Sequence, residues 1–157
     1  MKNDSDLVVD LAPSNADTVV RSFTPDYYVS RDAVTAAIAD RTIFNLIHHE
    51  SVIKVDCIVR KDSRYRRVEF DRRQRIEIED FSIWIVSKED LIVSKLEWLR
   101  DSGSELQMRD VRNLVATGYD REYVEDWAVQ LGLSDLWQEC RRCTIRHRKS
   151  SRSYASG

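Results

Sequence analysis

The sequence predicts an α+β fold, with a small mixed β-sheet flanked by helices and a helical region after it. In residues 1–86, short apolar runs alternate with polar side chains, and this two-residue period is typical of strands. From residue 87 onward, apolar side chains recur every three or four residues, which is the period of helices that pack on a core. The 157 residues are enough for one domain with its own hydrophobic core.

The first half begins with a strand and two helices. Residues 5–11 include a continuous apolar run, which is typical of a buried strand. Ser14 is predicted to cap a short helix that ends near Phe23, because a serine hydroxyl accepts hydrogen bonds from the free N–H groups of a first turn. Ser30 is predicted to cap a second helix over residues 31–40 for the same reason.

Three further segments are predicted to be extended, the first of them between the two helices. A brief one covers residues 26–29, and two longer strands cover residues 42–50 and 52–59, with a turn near Glu50. The alternation along the last strand separates an apolar face from a mixed face. The first face carries Ile53, Val55, Cys57 and Val59, and the second carries Lys54, Asp56 and Ile58. We therefore expect Cys57 to be a small core residue.

A basic segment and a strand pair complete the first half. Residues 62–74 predict a helix in which arginines are interleaved with acidic residues. Such a helix is either a solvated, ion-paired surface or a surface that guides the phosphates of nucleotides or RNA. Residues 75–80 and 81–86 then predict two paired strands.

The second half is helical. Ser87 and Asp90 have the spacing of a capping box at the start of a helix, and Gly103 ends that helix. A further helix covers about residues 105–116, and two short helices follow it. The predicted organisation is an α/β core, a helical extension packed on it and a basic flexible tail, over residues 1–86, 87–140 and 141–157.

Composition and charge exclude several classes of protein. The net charge is −2, and no apolar run approaches the ~20 residues of a membrane-spanning helix, so we expect no membrane association. The polar first residues do not form a secretory signal, and an odd count of three cysteines argues against a disulfide framework. We therefore expect a cytoplasmic protein. Cys140 and Cys143 form a C-x-x-C pair near His147, but no second pair completes four zinc ligands.

Three aspartates are the candidate metal ligands. Asp4 and Asp6 stand two residues apart on the first strand, so their side chains share one face. Asp56 lies in an apolar strand, where a carboxylate is costly unless it is paired, hydrogen-bonded or bound to a metal. If the two strands are neighbours, the three carboxylates meet and suit Mg²⁺, which often binds substrate phosphates as well. The structural alternative is a solvated Asp4 at the terminus and an Asp56 that pairs with Lys54.

Two residues of another strand are weaker candidates. Asn45 and His48 lie in FNLIH, on a strand expected to border the carboxylates. A neutral histidine can act as an acid, a base or a ligand, but a hydrogen-bonded structural histidine is the more common case.

Six segments of the chain, taken in order, resemble a known family. They are NDSDLVVDL, FNLIH, KVDCIV, SKEDLIVSKLEW, GSELQMRDVRNLV and YVEDWAVQLGLSDLW. Their order and spacing closely resemble those of the bacterial and cyanobacterial nucleotidyltransferase-like proteins grouped with the AbiEii-type abortive-infection toxins. The resemblance runs from about residue 3 to residue 139.

The resemblance implies a nucleotidyltransferase-like fold and a Mg²⁺-dependent reaction. A nucleotidyl group would pass from a nucleoside triphosphate to an acceptor, either RNA or protein. The resemblance assigns the catalytic and metal-binding triad to Asp4, Asp6 and Asp56. Asp56 would also help to activate the acceptor hydroxyl.

The resemblance also implies nucleotide-binding residues in the helical half. Lys95 matches the lysine that the toxins place near the nucleotide phosphate, and Arg109 with Asp110 matches their Arg-Asp pair on the next helix. The structural alternatives are a lysine that extends along its helix to water, and an Asp110 that only pairs with Arg109 or Arg112.

The chain departs from the family pattern in two places. Members of this fold carry a Gly-Gly or Gly-Ser signature upstream of the first aspartate, where backbone N–H groups hold the triphosphate. Met1 falls inside the motif, so we expect a truncated gene, a misplaced start codon or a naturally shortened paralogue. Asn113 stands where the toxins repeat an aspartate.

Two functions follow from the sequence. The first is a Mg²⁺-dependent nucleotidyltransferase, impaired if the upstream signature is missing. The second is a catalytically inactive module of the same fold that binds or regulates a partner. A toxin role would imply an antitoxin as that partner.

Overall fold

The protein has an α+β architecture, as the sequence predicts. A computed structural model describes residues 4–51 and 53–142. The chain divides into two compact units, one up to Arg67 and one from Val68. The functional division at residues 86 and 140 stays a prediction, and residues 143–157 of the predicted tail lie outside the described part.

A four-stranded sheet forms the centre of the first unit. Its strands are β1 at Asp4–Val9, β2 at Tyr27–Tyr28, β3 at Ile43–His48 and β4 at Lys54–Val59. The order across the sheet is β1-β4-β3-β2. β1 pairs with β4 in parallel, and the other two pairings are antiparallel. Each strand lies within a segment predicted to be extended or overlaps it closely.

Two helices cover one face of this sheet. They are α1 at Ala16–Phe23, which follows a 3-10 turn at Pro13–Asn15, and α2 at Arg31–Asp40. Buried apolar residues of the helices and strands form a single core, made of Ala16, Val34, Ala37, Ile38, Phe44, Leu46, Cys57 and Val59. Cys57 is therefore the core residue that alternation predicts. Each large aliphatic side chain buried in this way contributes about 1.5–3 kcal/mol, which holds the inward face of the strands against the helices.

The predicted helix caps are confirmed at Ser30 and wrong at Ser14. The Ser30 hydroxyl accepts a hydrogen bond from the backbone N–H of Ala33 at 3.2 Å. At the other site, Asn15 Oδ1 accepts from the backbone N–H of Ala12 at 2.7 Å, and the 3-10 turn begins at Pro13. Because proline has no N–H and a fixed φ, it starts the turn one residue before Ser14 and leaves that serine inside it.

The second unit combines a hairpin with helices. α3, at Arg64–Asp71, contains residues of both units. The strands β5 and β6 form an antiparallel hairpin, and the helices α4 to α7 follow. The strands are β5 at Gln74–Ile78 and β6 at Phe81–Ile85. The helices are α4 at Lys88–Ser102, α5 at Glu105–Val115, α6 at Arg121–Gln130 and α7, whose described part is residues 134–142. Within the described ranges, no helix has the length and apolar character needed to cross a membrane.

A buried polar network begins at the N-terminus of α4. The Ser87 hydroxyl accepts from the backbone N–H of Asp90 at 3.2 Å and donates to Asp90 Oδ2 at 2.5 Å, so the predicted cap is confirmed. Asp90 is fully buried and also accepts from Arg72 Nε at 3.1 Å and from the Tyr123 hydroxyl at 2.6 Å. Three side-chain donors therefore offset the cost of burying this carboxylate.

Candidate functional site

The sheet of the first unit has one face that the two helices leave open. Alternation along the strands places on it four large apolar side chains that stay exposed by 44–62%. These are Val8, Tyr28, Ile43 and Ile47. We call this surface the open face, and Asp6 and Asp56 lie on it.

A row of polar residues crosses the open face. Asp6 of β1, Asp56 of β4 and Asn45 of β3 are in register on three adjacent strands. In-register residues on neighbouring strands are about 4.8 Å apart and project to the same side. β1 and β4 are therefore neighbours, as the metal hypothesis requires, and the carboxylates of Asp6 and Asp56 can reach a common ligand.

Asp4 occupies the adjacent row, in register with Lys54. Its side chain lies outside the described residues. Among the side chains that are described, no group of three or more His, Cys, Asp or Glu residues is placed to hold a metal ion. Because the predicted triad needs Asp4 beside Asp6 and Asp56, the triad stays a prediction.

Asp56 is held by two neighbours on the open face. Asn45 Nδ2 donates to Asp56 Oδ1 at 2.6 Å, and Lys54 Nζ lies 2.9 Å from the same oxygen. The ion pair that the sequence offered as the structural alternative is therefore present. Both side chains are partly exposed, Lys54 by 41% and Asp56 by 25%, and such pairs contribute about 0–1 kcal/mol. A cation can therefore displace Lys54 at low cost.

The donor set on the open face fits a hard cation. Asp6 is exposed, and both described contacts of Asp56 are made by Oδ1, which leaves Oδ2 as a second ligand oxygen. Mg²⁺ is usually held by one or two carboxylates and retains several waters, so Asp6 and Asp56 match its requirement in number and type.

The two weaker candidates of β3 have different roles. The His48 ring packs edge-to-face on Tyr27, with centroids 5.1 Å apart, and its Nδ1 accepts from the backbone N–H of Glu50 at 3.2 Å. The structural reading of His48 is thus supported. Asn45 does more than border the carboxylates, because it hydrogen-bonds Asp56. The available signal was its alternation with the buried Phe44 and Leu46, which places Asn45 on the opposite face.

Cys57 gives a pH-dependent test of this strand. Burial, and then the charge of Asp56, raise the pKa of the Cys57 thiol from 9.0 to about 11. The folded state keeps the thiol neutral, whereas the unfolded chain ionises it near pH 9. The contribution of this group to the free energy of unfolding is therefore complete below pH 9. That contribution is lost as the pH rises through about 11.

We therefore expect Cys57 to resist iodoacetamide in the folded protein at a pH of about 8, where its thiolate is scarce. Peptide mapping by mass spectrometry measures this residue separately from the other cysteines. The matched control is the same protein in urea, in which Cys57 should be labelled fully. Equal labelling with and without urea would show that the inward face of β4 is open.

The predicted nucleotide-binding residues of the second unit form their own cluster. Lys95 Nζ of α4 lies 2.8 Å from Asp110 Oδ2 and 3.1 Å from Gln107 Oε1, both on α5. Asp110 thus pairs with Lys95, whose side chain is only 16% exposed. Arg109 is exposed on α5, in a shallow concavity that it shares with Arg112. The phosphate role of these residues stays a prediction.

A double-mutant cycle tests whether the Lys95–Asp110 pair joins α4 to α5. We expect Lys95→Met and Asp110→Asn to show a coupling energy of about 1 kcal/mol in urea denaturation, since the pair is partly buried. Arg109→Gln is the matched control, and its effect should add to that of Lys95→Met without coupling. A coupling energy near zero for the first cycle would contradict the structural role.

Comparison with known proteins gives no family assignment, because no family model and no curated protein matches the chain.

Proposed function

We propose that the protein is a Mg²⁺-dependent nucleotidyltransferase with a nucleotidyltransferase-like fold. It would transfer a nucleotidyl group from a nucleoside triphosphate to a hydroxyl of an RNA or protein acceptor. The observation that carries the proposal is the register of Asp6 and Asp56 on neighbouring parallel strands of the open face. The resemblance of the six sequence segments adds the reaction type and the third carboxylate, Asp4.

Each residue of the row has a defined role in this proposal. Asp6 and Asp56, together with Asp4, would hold Mg²⁺, which neutralises phosphate charge and stabilises the leaving group when it is bound. Asn45 holds Oδ1 of Asp56, so the carboxylate keeps one orientation.

The transfer itself is an exchange at phosphorus. The acceptor hydroxyl oxygen forms a bond to the α-phosphorus, and the bond from that phosphorus to the bridging oxygen of the β-phosphate breaks. Pyrophosphate leaves with the electron pair of the broken bond. In this proposal the carboxylate of Asp56 is the general base that takes the hydroxyl proton.

A specific observation favours a second candidate function. Both lysines that could meet a phosphate are paired with carboxylates of this chain: Lys54 with Asp56, and Lys95 with Asp110. Lysines that are already paired within the chain suit an inactive module of the same fold. Such a module would act through a protein partner, such as an antitoxin.

Label transfer and calorimetry separate the two candidates. The full chain is incubated with Mg²⁺, each labelled nucleoside triphosphate and RNA or protein acceptors, and Mg²⁺–ATP binding is measured by calorimetry. If the protein is a nucleotidyltransferase, we expect label in the acceptor and a binding signal, and we expect both to be lost in Asp6→Asn. Binding without transfer under any of these conditions favours the module. Absence of both signals contradicts the nucleotidyltransferase proposal.

A further inference from the structure

We infer that the nucleoside triphosphate lies across the open face along one particular row, with its phosphates at Lys54 and its base stacked on Tyr28. This inference rests on the proposed function and specifies how the substrate is held.

The row runs next to the carboxylates and has the chemical order of a nucleotide. Lys54 of β4 is in register with Ile47 of β3, and Ile47 is in register with Tyr28 of β2. An ammonium, an aliphatic side chain and a phenol ring therefore follow one another across three adjacent strands. Two strand spacings separate the ends of the row, about 10 Å. The phosphates, the sugar and the base would occupy these three positions in turn.

Lys54 is the cation that this arrangement uses. Its Nζ lies 2.9 Å from Asp56 Oδ1, and 41% of its side chain is exposed on a flexible four-carbon stem. When a cation reaches the carboxylate, the ammonium is repelled from it. A phosphate oxygen within the same reach then becomes its counter-charge.

The two tyrosines of β2 have different surroundings. Tyr27 packs edge-to-face on His48 and on Phe23, with ring centroids 5.1 and 6.0 Å away. Tyr28 is 62% exposed on the open face. The described residues provide no aromatic partner for the Tyr28 ring. An exposed aromatic ring is a platform on which any base can stack.

The opposite side of the carboxylate row lacks this chemistry. There Val8, Ile58 and Ile43 are in register across β1, β4 and β3. All three side chains are aliphatic, so this row offers neither a cation for phosphate nor a ring for stacking. The asymmetry assigns the nucleotide to the side of Lys54 and Tyr28.

The test compares two ligands on variants of the full chain by calorimetry in Mg²⁺. We expect Tyr28→Ala to weaken ATP binding about tenfold and leave inorganic tripolyphosphate binding unchanged, since only ATP carries a base. Tyr28→Phe keeps the ring and should keep the affinity for ATP. Lys54→Met should lower the affinity for both ligands about tenfold, because both carry phosphates. Ile43→Ala is the matched control on the same face, and it should change neither.

Each contrary result has a distinct meaning. Unchanged ATP affinity in Tyr28→Ala, with affinity still lost in Asp6→Asn, overturns this inference and leaves the proposed function standing. A loss of ATP affinity in Ile43→Ala overturns it by placing the base on the other side. A change of oligomeric state in Tyr28→Ala by size-exclusion chromatography also overturns it, because the open face would then be covered by a second copy. If the unmodified chain binds no nucleotide, the proposed function fails first.

Discussion

Replacing Asp56 by asparagine should lower the rate of Mg²⁺-dependent nucleotidyl transfer by about a hundredfold or more. The change removes the charge of a ligand oxygen and the base that accepts the hydroxyl proton, while the side chain keeps its size. The hydrogen bond with Asn45 can be kept by rotation of the new amide. The ion pair with Lys54 is lost, but it is partly exposed, so the free energy of unfolding should fall by only about 0–1 kcal/mol.

Asp10→Asn is the matched control for this variant. Asp10 follows β1 and accepts from Arg60 Nη2 at 2.9 Å, so its replacement makes the same change of charge and also breaks an ion pair. We expect it to keep its transfer rate. A second readout, Mn²⁺ binding measured by calorimetry, should weaken in Asp56→Asn and not in Asp10→Asn. Equal transfer rates and equal Mn²⁺ affinities in the two variants would refute the proposed role of Asp56.

Replacing Asp90 by alanine should lower the free energy of unfolding of the second unit by about 3–5 kcal/mol. The fully buried carboxylate accepts from Ser87, Arg72 and Tyr123, so its removal leaves three donors without their acceptor. The Arg72 guanidinium also lies 4.0 Å from the centre of the Tyr123 ring, a contact that the same network positions. Urea denaturation followed by circular dichroism measures the loss.

Asp101→Ala is the control for this loss. Asp101 lies at the other end of α4 and accepts from Arg100 Nε at 2.8 Å, with 65% of its side chain exposed. The control should cost about 0–1 kcal/mol, because water replaces the partner of an exposed charge. If both variants lose the same small free energy of unfolding, the Asp90 network is not a source of stability.

Local patterns predicted the positions of the elements in the first unit well, because they depend on neighbours in the chain. The predicted burial of the first strand is wrong: β1 is an edge strand, and its Leu7 and Val8 side chains are each 46% exposed. The alternation in KVDCIV assigns Cys57 inward and Asp56 outward, and both assignments agree with the structure. The caps at Ser30 and Ser87 follow from a hydroxyl placed before a helical period. The error at Ser14 has a local cause as well, since Pro13 starts its own turn.

The polar networks were harder to predict, because their members are far apart in the sequence. Arg72 lies in the turn after α3, Asp90 in α4 and Tyr123 in α6, and no spacing along the chain brings them together. The same holds for Lys95, which the sequence linked to phosphate and the structure pairs with Asp110. Such contacts depend on helix packing, which a periodic pattern does not specify.

In the candidate site, the alternation of side chains with a period of two already places Lys54, Asp56 and Ile58 on one face of their strand. The parallel pairing of β1 with β4 brings Asp6 next to Asp56, and β2 adds Tyr28 to the same face; both could be read only from the folded structure. Strand order and register arise from long-range packing of the sheet on its helices, and each strand alone is compatible with several neighbours.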